Sequence, residues 1–313
     1  MALAALVASV ASQAGAEEAC RMVQLAELPV KVIGAKATIP VKVNGHETLF
    51  FIDSGATGSI INPAWADRLG IKKRIHFGYA ATGVAGEQSL RDADADSFTV
   101  GEMTFAHANF LVEEGLPPTV GGVLGRNLLG GVDVEYDLGG KMVRLFRLEH
   151  CQTMIPTYWA KPEQINTVDL LGSDQRNNAV VTDVFVNGRR LRALWDTGAA
   201  ASLLSRSGAS KASLSPTAAG AVPAGKVRGF GFDPPDSWIA PVDSFALGRE
   251  QISHLRLRFI DKETFGEDML LGFDFFQSHR VFVAYSQHKV YFTYNGGPVF
   301  QLDRADAKAA AKP

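Results

Sequence analysis

Hydrophobic and polar residues alternate along much of the chain with a period of two, which is typical of β-strands. Residues 37–43 alternate in this way and are followed by Asn44 and Gly45. Asn-Gly between alternating segments is the strongest short-range signal for a hairpin, so residues 48–52 are predicted to form the returning strand. Further strands are predicted at 97–100, 104–112, 132–136, 142–148, 180–186, 191–195, 244–247, 252–260, 281–285 and 290–294.

Three segments interrupt this pattern. Residues 63–70 begin with Pro and end with Gly, which predicts a short helix. Residues 207–225 are rich in Ala, Ser, Pro and Gly, and are predicted to be a loop. Residues 152–178 are polar and contain two prolines, so they are predicted to connect the two halves of the chain.

The two halves carry the same short motif. Asp53 begins Asp-Ser-Gly-Ala and Asp196 begins Asp-Thr-Gly-Ala, and each tetrapeptide follows an apolar run. In both halves the Asp comes nine residues after an Asn-Gly pair that starts at Asn44 or Asn187 (53 − 44 = 9; 196 − 187 = 9). A carboxylate is costly to bury in an apolar run unless it is hydrogen-bonded or shares a proton. Two of them in equivalent places are therefore predicted to meet.

The equivalence extends downstream of the motif. Residues 97–101 match residues 244–248, and the apolar-apolar-Gly triplet at 123–125 matches the triplet at 270–272. The offset is 143 at the Asp (196 − 53 = 143) and 147 at the triplet Gly (272 − 125 = 147), which indicates one small insertion. The chain is therefore interpreted as an internal duplication of one domain.

The duplicated motif resembles the retropepsin class of aspartic proteases, and two copies in one chain resemble the bilobal arrangement of pepsin. The resemblance covers residues 30–148 and 178–294. It implies an all-β fold with two retropepsin-like acid-protease β-barrel lobes related by an internal pseudo-two-fold axis. The predicted organisation is a signal peptide at 1–16, an N-terminal lobe at 17–151, a connection at 152–178, a C-terminal lobe at 179–300 and a flexible tail at 301–313.

The resemblance implies that Asp53 and Asp196 are the catalytic residues of an aspartic endopeptidase. Two carboxyl groups side by side cannot both ionise, so the pair holds one proton over a wide pH range. One carboxylate then acts as a general base on water, and the other acts as an acid toward the peptide carbonyl and the leaving nitrogen. This chemistry requires no cofactor and no metal ion.

The same resemblance assigns support roles around the dyad. Ser54 and Thr197 would bond across the lobes, and the amides of Gly55 and Gly198 would hold the carboxylates. Glycine at these positions also permits a close approach of the two turns.

A mobile flap over the substrate is predicted in each half, at glycine-spaced segments between the Asp motif and the matching Ser-Phe strand. The candidate flap and substrate-binding residues are Gly83, Val84, Gly229 and Phe230. The alternative is that these segments are ordinary surface loops.

Ala56 and Ala199 stand where pepsin has a hydroxyl residue that donates to the carboxylate. Fewer hydrogen bonds to an anion depress its pKa less. We therefore expect activity at a milder pH than that of pepsin.

The N-terminus indicates export. Residues 2–11 are apolar and are followed by the small residues 14–16, a pattern typical of a secretory signal peptide. The alternative is a short disordered or helical tail. Export would place the protein in the periplasm or outside the cell, where Cys20 and Cys151 can form a disulfide; the alternative is two unpaired cysteines.

Charge, hydropathy and motifs argue against several other classes of function. With 31 basic and 33 acidic residues the net charge is −2, which does not favour a nucleic-acid partner. The mature region has no apolar run long enough for stable membrane insertion, and no Gly-x-Ser-x-Gly motif of a serine hydrolase is present. The expected partner is a peptide or protein substrate, and a monomer suffices because one chain supplies both Asp residues. The alternatives are a non-catalytic peptide-binding protein on the same scaffold and a duplicated β-barrel with a structural role.

Overall fold

The structure is a computed structural model. It describes residues 19–75, 81–88, 90–172, 179–263 and 265–300, so the predicted signal peptide and tail lie outside the described residues. Strands make up 50% of the described residues and helices 10%, which confirms the all-β class. Within the described ranges, no helix is long and apolar enough to cross a membrane.

Strands dominate the described part of the chain. They are β1 (Arg21–Pro29), β2 (Lys31–Val32), β3 (Ala37–Val43), β4 (His46–Ile52), β5 (Ile60–Ile61), β6 (Lys73–Ile75), β7 (Ala81–Gly83), β8 (Gly86–Gln88), β9 (Arg91–Val100), β10 (Met103–Val112), β11 (Gly122–Leu124), β12 (Asp133–Asp137), β13 (Met142–Glu149), β14 (Asn166–Asp169), β15 (Val181–Val186), β16 (Arg189–Trp195), β17 (Leu203–Leu204), β18 (Val222–Lys226), β19 (Asp236–Leu247), β20 (Glu250–Ile260), β21 (Met269–Leu271), β22 (His279–Ala284) and β23 (Lys289–Tyr294). The α-helices are α1 (Pro63–Arg68), α2 (Arg126–Leu129), α3 (Arg206–Lys211) and α4 (Phe273–Ser278), and 3₁₀ turns lie at Pro162–Gln164 and Tyr285–Gln287.

The local predictions are mostly confirmed. The Asn-Gly pairs connect β3 to β4 and β15 to β16, and α1 begins after the cap Asn62, whose side chain accepts from the Ala64 amide. The predicted loop at 207–225 is wrong in part, because it contains most of α3 and the start of β18. The cap Ser205 accepts from the Gly208 amide and starts α3, a signal that the loop-like composition of this segment concealed.

Each half of the chain forms a closed barrel of six strands, which confirms the two-lobe prediction. In the N-terminal lobe the order is β3-β4-β11-β5-β10-β9, and pairing of β3 with β9 closes the ring. In the C-terminal lobe the order is β15-β16-β21-β17-β20-β19, closed by β15 with β19. Aromatic side chains fill both interiors, with Phe50, Phe98 and Phe110 in mutual contact in the first and Trp195 packed on Phe275 in the second.

The duplication is also visible in the backbone. Left-handed residues recur at equivalent places as Asn44 and Asn187 (φ 48° and 50°), His107 and His254 (54° and 55°), and Lys141 and His288 (59° and 55°). Non-glycine residues adopt this conformation rarely. Its repetition therefore indicates that the same turns and bulges were kept in both halves.

A third sheet joins the two lobes, and the sequence did not predict it. Its order is β1-β13-β12-β22-β23-β14, so strands from both halves pair directly between β12 and β22. The edge strands β1 and β14 were missed. A register shift between Gln24 and Ala26 interrupts the alternation in β1, and β14, which lies in the predicted connection, spans only Asn166–Asp169.

A buried carboxylate ties this sheet to the connecting segment. Glu135 of β12 accepts from Arg144 Nη1 at 2.7 Å, Arg280 Nη2 at 2.7 Å and Tyr158 Oη at 2.8 Å. The Arg280 guanidinium also lies 4.2 Å from the Trp159 ring. The side chains come from both halves and from the connection, so the network fixes the lobes relative to each other.

The structure joins Cys20 and Cys151 in a disulfide that closes a loop with a sequence separation of 131 residues. The bond attaches the segment before β1 to the segment that follows β13. It therefore fastens both ends of the N-terminal half beside the shared sheet.

Replacing both cysteines by Ser should lower the free energy of unfolding by about 2–5 kcal/mol, because a long loop then gains entropy in the unfolded chain. Urea unfolding of the wild type and the double variant measures the difference. A reductant should shift the wild-type midpoint by a similar amount and leave the variant unchanged. Equal midpoints for the oxidised wild type and the variant would contradict the expectation.

Candidate active site

The two Asp loops meet between the barrels. Asp53 follows β4 and its amide donates to the Leu124 carbonyl of β11 at 3.0 Å. Asp196 follows β16 and its amide donates to the Leu271 carbonyl of β21 at 2.8 Å. In both lobes the two strands run parallel, so the apolar-apolar-Gly triplet lies behind the Asp loop and supports it.

Both carboxylates are held by the turn that follows them. Asp53 Oδ1 accepts from the amides of Gly55 and Ala56 at 2.9 and 2.8 Å. Asp196 Oδ1 accepts from the two equivalent amides of its own loop at 2.8 and 3.1 Å. In each Asp the backbone amides hold Oδ1, and because the carboxyl group is rigid this also fixes the position of Oδ2.

The turns approach so closely that only glycine fits at the contact. A Cβ atom on Gly198 would lie 2.1 Å from Asp53 Oδ2, and one on Gly55 would lie 2.5 Å from Asp196 Cγ. Such distances are far inside van der Waals contact. The two glycines therefore allow the side chains of Asp53 and Asp196 to hydrogen-bond to each other.

The electrostatics of the pair keep one proton in place. Burial of the Asp196 carboxyl group raises its pKa to about 8, and the charge of Asp53 and the hydrogen bond to it act in the same direction. The Gly198 amide and the charge of Lys36 lower this pKa. Two carboxylates in contact cannot both ionise at moderate cost. The titration belongs to the pair as a unit, which holds a single proton at neutral pH.

Four reciprocal hydrogen bonds lock the loops together. Ser54 Oγ donates to the Trp195 carbonyl at 2.7 Å, and Thr197 Oγ1 donates to the Ile52 carbonyl at 2.8 Å. The Ser54 amide donates to Thr197 Oγ1 and the Thr197 amide donates to Ser54 Oγ, both at 3.0 Å. Both hydroxyl side chains are fully buried. The four predicted support residues, Ser54, Gly55, Thr197 and Gly198, are thus brought to one contact.

A flap from each lobe covers the site. The hairpin β7–β8 forms the N-terminal flap, and β18 with the loop 227–235 forms the C-terminal flap. At the tips, the Ala85 amide donates to the Phe230 carbonyl at 2.9 Å and the Asp233 amide donates to the Ala85 carbonyl at 2.7 Å. The structure is therefore closed, and the tips must separate before a chain can enter.

The four predicted flap residues all lie at this junction. A Cβ atom on Gly83 would lie 2.6 Å from Phe230 Cβ, and one on Gly229 would lie 2.4 Å from Val84 Cγ1. Val84 reaches over the C-terminal lobe and packs on the apolar cluster around Leu203. The two flap tips thus contact each other, and the N-terminal flap also contacts the C-terminal lobe.

The cleft beneath the flaps has a volume of about 1630 Å³ and is lined by both Asp residues. Its walls are apolar near the dyad. On the N-terminal side the cluster contains Phe51, Ile60, Val120, Val123 and the half-buried Leu111, and on the C-terminal side it contains Leu203, Ile260, Leu270 and the half-buried Leu194.

Two charged residues of the cleft, Lys36 and Glu113, were not predicted from the sequence. Lys36 Nζ lies 5.6 Å from the centroid of the Phe51 ring. Burial raises the pKa of Glu113 to about 7, with Lys36 lowering it and Asp53 raising it further. Neither residue belongs to a repeated motif, so no sequence signal marked them.

Two equivalent side chains behind the Asp loops, Asn127 and Asp274, were also not predicted. Ser59 Oγ donates to Asn127 Oδ1 at 2.7 Å, and Ser202 Oγ donates to Asp274 Oδ1 at 2.7 Å. The partners are equivalent by the repeat (274 − 127 = 147), and this offset is the signal that would have found them. The first partner is exposed and the second is buried.

Asp274→Asn should flatten the dependence of stability on pH. Burial raises the pKa of Asp274 to about 6. Its proton therefore stabilises the fold at low pH, and this contribution is lost as the pH rises from about 4 to about 6. Over that range we expect the free energy of unfolding of the wild type to fall by about 3 kcal/mol more than that of the variant.

Urea unfolding at several pH values measures this effect. Asn127→Asp is the matched control, because it makes the reverse exchange at the exposed equivalent position and should leave the wild-type profile intact. An Asp274→Asn profile parallel to that of the wild type would contradict the expectation.

Over the described ranges, no group of three or more His, Cys, Asp or Glu side chains is arranged to hold a metal ion.

Comparison with known protein families finds one match in each half of the chain. A family model described as "Aspartyl protease" matches residues 39–130, and a model described as "gag-polyprotein putative aspartyl protease" matches residues 182–278. No match to a curated protein was found. Each matched segment contains one Asp loop together with its apolar-apolar-Gly triplet.

Proposed function

We propose that this chain, whose two halves are retropepsin-like aspartyl protease domains, is an aspartic endopeptidase with Asp53 and Asp196 as its catalytic residues. The observation that carries the proposal is the contact of two half-buried carboxyl groups at the floor of a flap-covered cleft. Such a pair has one acid and one base available at the same time.

Each carboxyl group has a distinct step in the proposed reaction. In the proposed reaction the proton that the pair shares is on Asp196, the member whose pKa is raised by burial and by the neighbouring Asp53. Ionised Asp53 accepts a proton from water as the water oxygen attacks the peptide carbonyl carbon, and Asp196 donates its proton to the carbonyl oxygen. The tetrahedral intermediate then collapses with cleavage of the C–N bond. One of its hydroxyl groups returns a proton to Asp196, and the proton taken by Asp53 passes to the leaving nitrogen.

The proposed substrate is an extended peptide segment. Amides and carbonyls at the flap tips, now bonded between Ala85 and Phe230, become available when the tips part. An extended chain can bond to them as an added strand. Flap closure over the bound chain would then exclude water other than the nucleophile.

We also propose that the protein is exported to the periplasm or outside the cell and works as a monomer. The disulfide between Cys20 and Cys151 supports export, because such bonds persist in oxidising compartments. One chain contributes both Asp residues, so no second copy is needed to build the dyad.

Digestion of a diverse peptide library tests the proposed activity, with the products identified by mass spectrometry at intervals from acid to alkaline pH. We expect internal cleavage that persists at neutral pH. The rate should fall as the pH rises through about 8, because the pair then loses the proton that Asp196 donates.

Binding of the same peptides is measured in parallel. Intact peptides at every pH, with a correctly folded protein, would overturn the proposed activity. Retained binding in that case would identify a non-catalytic peptide-binding protein. An activity confined to strongly acid pH would contradict the assignment of the proton to Asp196.

A further inference from the structure

Glu113 is a carboxyl group that the cleft has on its N-terminal wall and not at the equivalent place on the other wall. It follows β10, and both Leu111 and Glu113 line the cleft, while Val112 between them is buried in the barrel core. The equivalent residue of the C-terminal lobe is Ile260 (260 − 113 = 147), which is fully buried in the apolar cluster of that wall. One wall therefore has an ionisable side chain where the other has a hydrocarbon.

The Glu113 carboxyl group is half-buried and accepts no hydrogen bond from the described residues. Burial raises its pKa to about 7, and the other influences on this pKa are the charges of Lys36 and Asp53. A carboxylate in such surroundings is less stable than in water unless a donor reaches it. A donor that enters with the substrate would remove this cost.

Lys36 reduces the negative charge on this wall but does not cancel it. Its Nζ lies 5.6 Å from the centroid of the Phe51 ring, and it acts on Glu113 through its charge without a hydrogen bond. The same lysine lowers the pKa of Asp196, so its charge serves the dyad as well. Burial and the charge of Asp53 outweigh Lys36 at Glu113, since the net shift of the pKa is upward.

The described elements beside Glu113 supply no other cation to it. β5 pairs with the end of β10, and neither β5 nor residues 115–120 contain an ionisable side chain. On β9, Asp92 is itself acidic, and Arg91 is paired with Glu114 at 3.8 Å. None of these three side chains lines the cleft. A cation of the substrate is therefore the partner that suits this carboxyl group.

We propose that Glu113 is the specificity-determining residue of a subsite for a basic side chain, Lys or Arg, of the peptide substrate. The inference rests on the proposed peptide-cleaving function and adds the substrate class. The apolar wall around Phe51 and Leu111 would receive the methylene stem of such a side chain, and the charged end would donate to the Glu113 carboxylate.

The duplication permits this asymmetry. Each half of a fused chain can change independently, whereas two copies of one chain would present identical walls. A bound substrate is thereby oriented with its basic residue toward the N-terminal lobe.

Pairs of N-acetylated peptides that differ only by Lys or Gln at one position test the inference, scanned over the positions on both sides of the cleaved bond. Acetylation keeps the free amino end of the peptide from taking the place of the side chain. At about pH 8, where Glu113 is mostly ionised, wild-type kcat/KM should favour the Lys peptide by about tenfold at one position. Glu113→Gln keeps the shape, removes the charge and should bring the two peptides to within about twofold of each other.

Glu114→Gln is the matched control, because it makes the same exchange one residue away, on an exposed side chain that is paired with Arg91. It should keep the wild-type preference. At about pH 5.5 Glu113 is protonated, so the preference of the wild type and of the control should fall to about twofold or less. Titration of the dyad affects both peptides of a pair alike and cancels in the ratio.

Binding of the same peptides to Asp53→Asn protein separates this inference from the proposed activity. Tighter binding of the Lys peptide that Glu113→Gln abolishes supports the basic subsite even if no peptide is cleaved. If Glu113→Gln fails to fold, Glu113→Ile, which introduces the residue of the equivalent position, provides the second variant with the same expected loss of preference. Equal kcat/KM and equal affinity for the Lys and Gln peptides at every position would overturn the inference, as would a preference that Glu113→Gln leaves unchanged.

Discussion

Asp53→Asn is expected to lower kcat for peptide hydrolysis by about 10⁴-fold, because it removes the group that accepts the proton of the attacking water. Asparagine has the same shape, and its Oδ1 can keep the hydrogen bonds from the amides of Gly55 and Ala56. The site would therefore stay assembled. An amide has no basic oxygen comparable with a carboxylate, and the proton of Asp196 no longer has a partner with which it is shared.

The loss must be separated from a loss of folding. Urea unfolding should find Asp53→Asn at least as stable as the wild type, because the exchange removes one of two acidic groups that repel each other at the dyad. Asp67→Asn is the matched control, since this exposed carboxylate on α1 is paired with Lys73 and does not line the cleft. Residual activity of Asp53→Asn within tenfold of the wild type would rule out Asp53 as the base.

Thr197→Val is expected to lower the free energy of unfolding by about 2–6 kcal/mol, because it leaves two buried polar groups unpaired. Valine fills the same volume but lacks Oγ1, which accepts from the Ser54 amide and donates to the Ile52 carbonyl. Both groups lie where the loops of the two lobes meet. Urea unfolding measures the change directly.

The same variant should reduce kcat by about 10²-fold, because the loop that holds Asp196 is no longer fixed against the loop that holds Asp53. Thr197→Ser is the matched control: it keeps the hydroxyl, and the first lobe carries Ser54 at the equivalent place. Serine should restore most of both losses. A Thr197→Val protein with wild-type stability and rate would show that the reciprocal hydrogen bonds do not hold the dyad.

The predictable part of the site is the part encoded in short local motifs. Asp53 and Asp196 were found because each lies at the end of an apolar strand and begins a repeated tetrapeptide. Residues without such a repeat were not found. Lys36 and Glu113 approach the dyad only because separate loops fold over the same cleft.

The fold shows the same division. The hairpins at Asn44 and Asn187 were predictable, since the turn chemistry is local. The shared sheet was not, because its edge strand β14 has a weak apolar pattern and is ordered by pairing with β23 from the far end of the chain.

The sequence by itself determined the duplication, the strand-rich class and the two Asp motifs, because alternation, turn residues and repeats are all recorded within short stretches. Only the tertiary structure decided which side chains share the cleft and how the flap tips meet. Those relations depend on contacts between residues more than a hundred positions apart. Their energies arise from burial and pairing after the chain has closed, and no local pattern of residues records them.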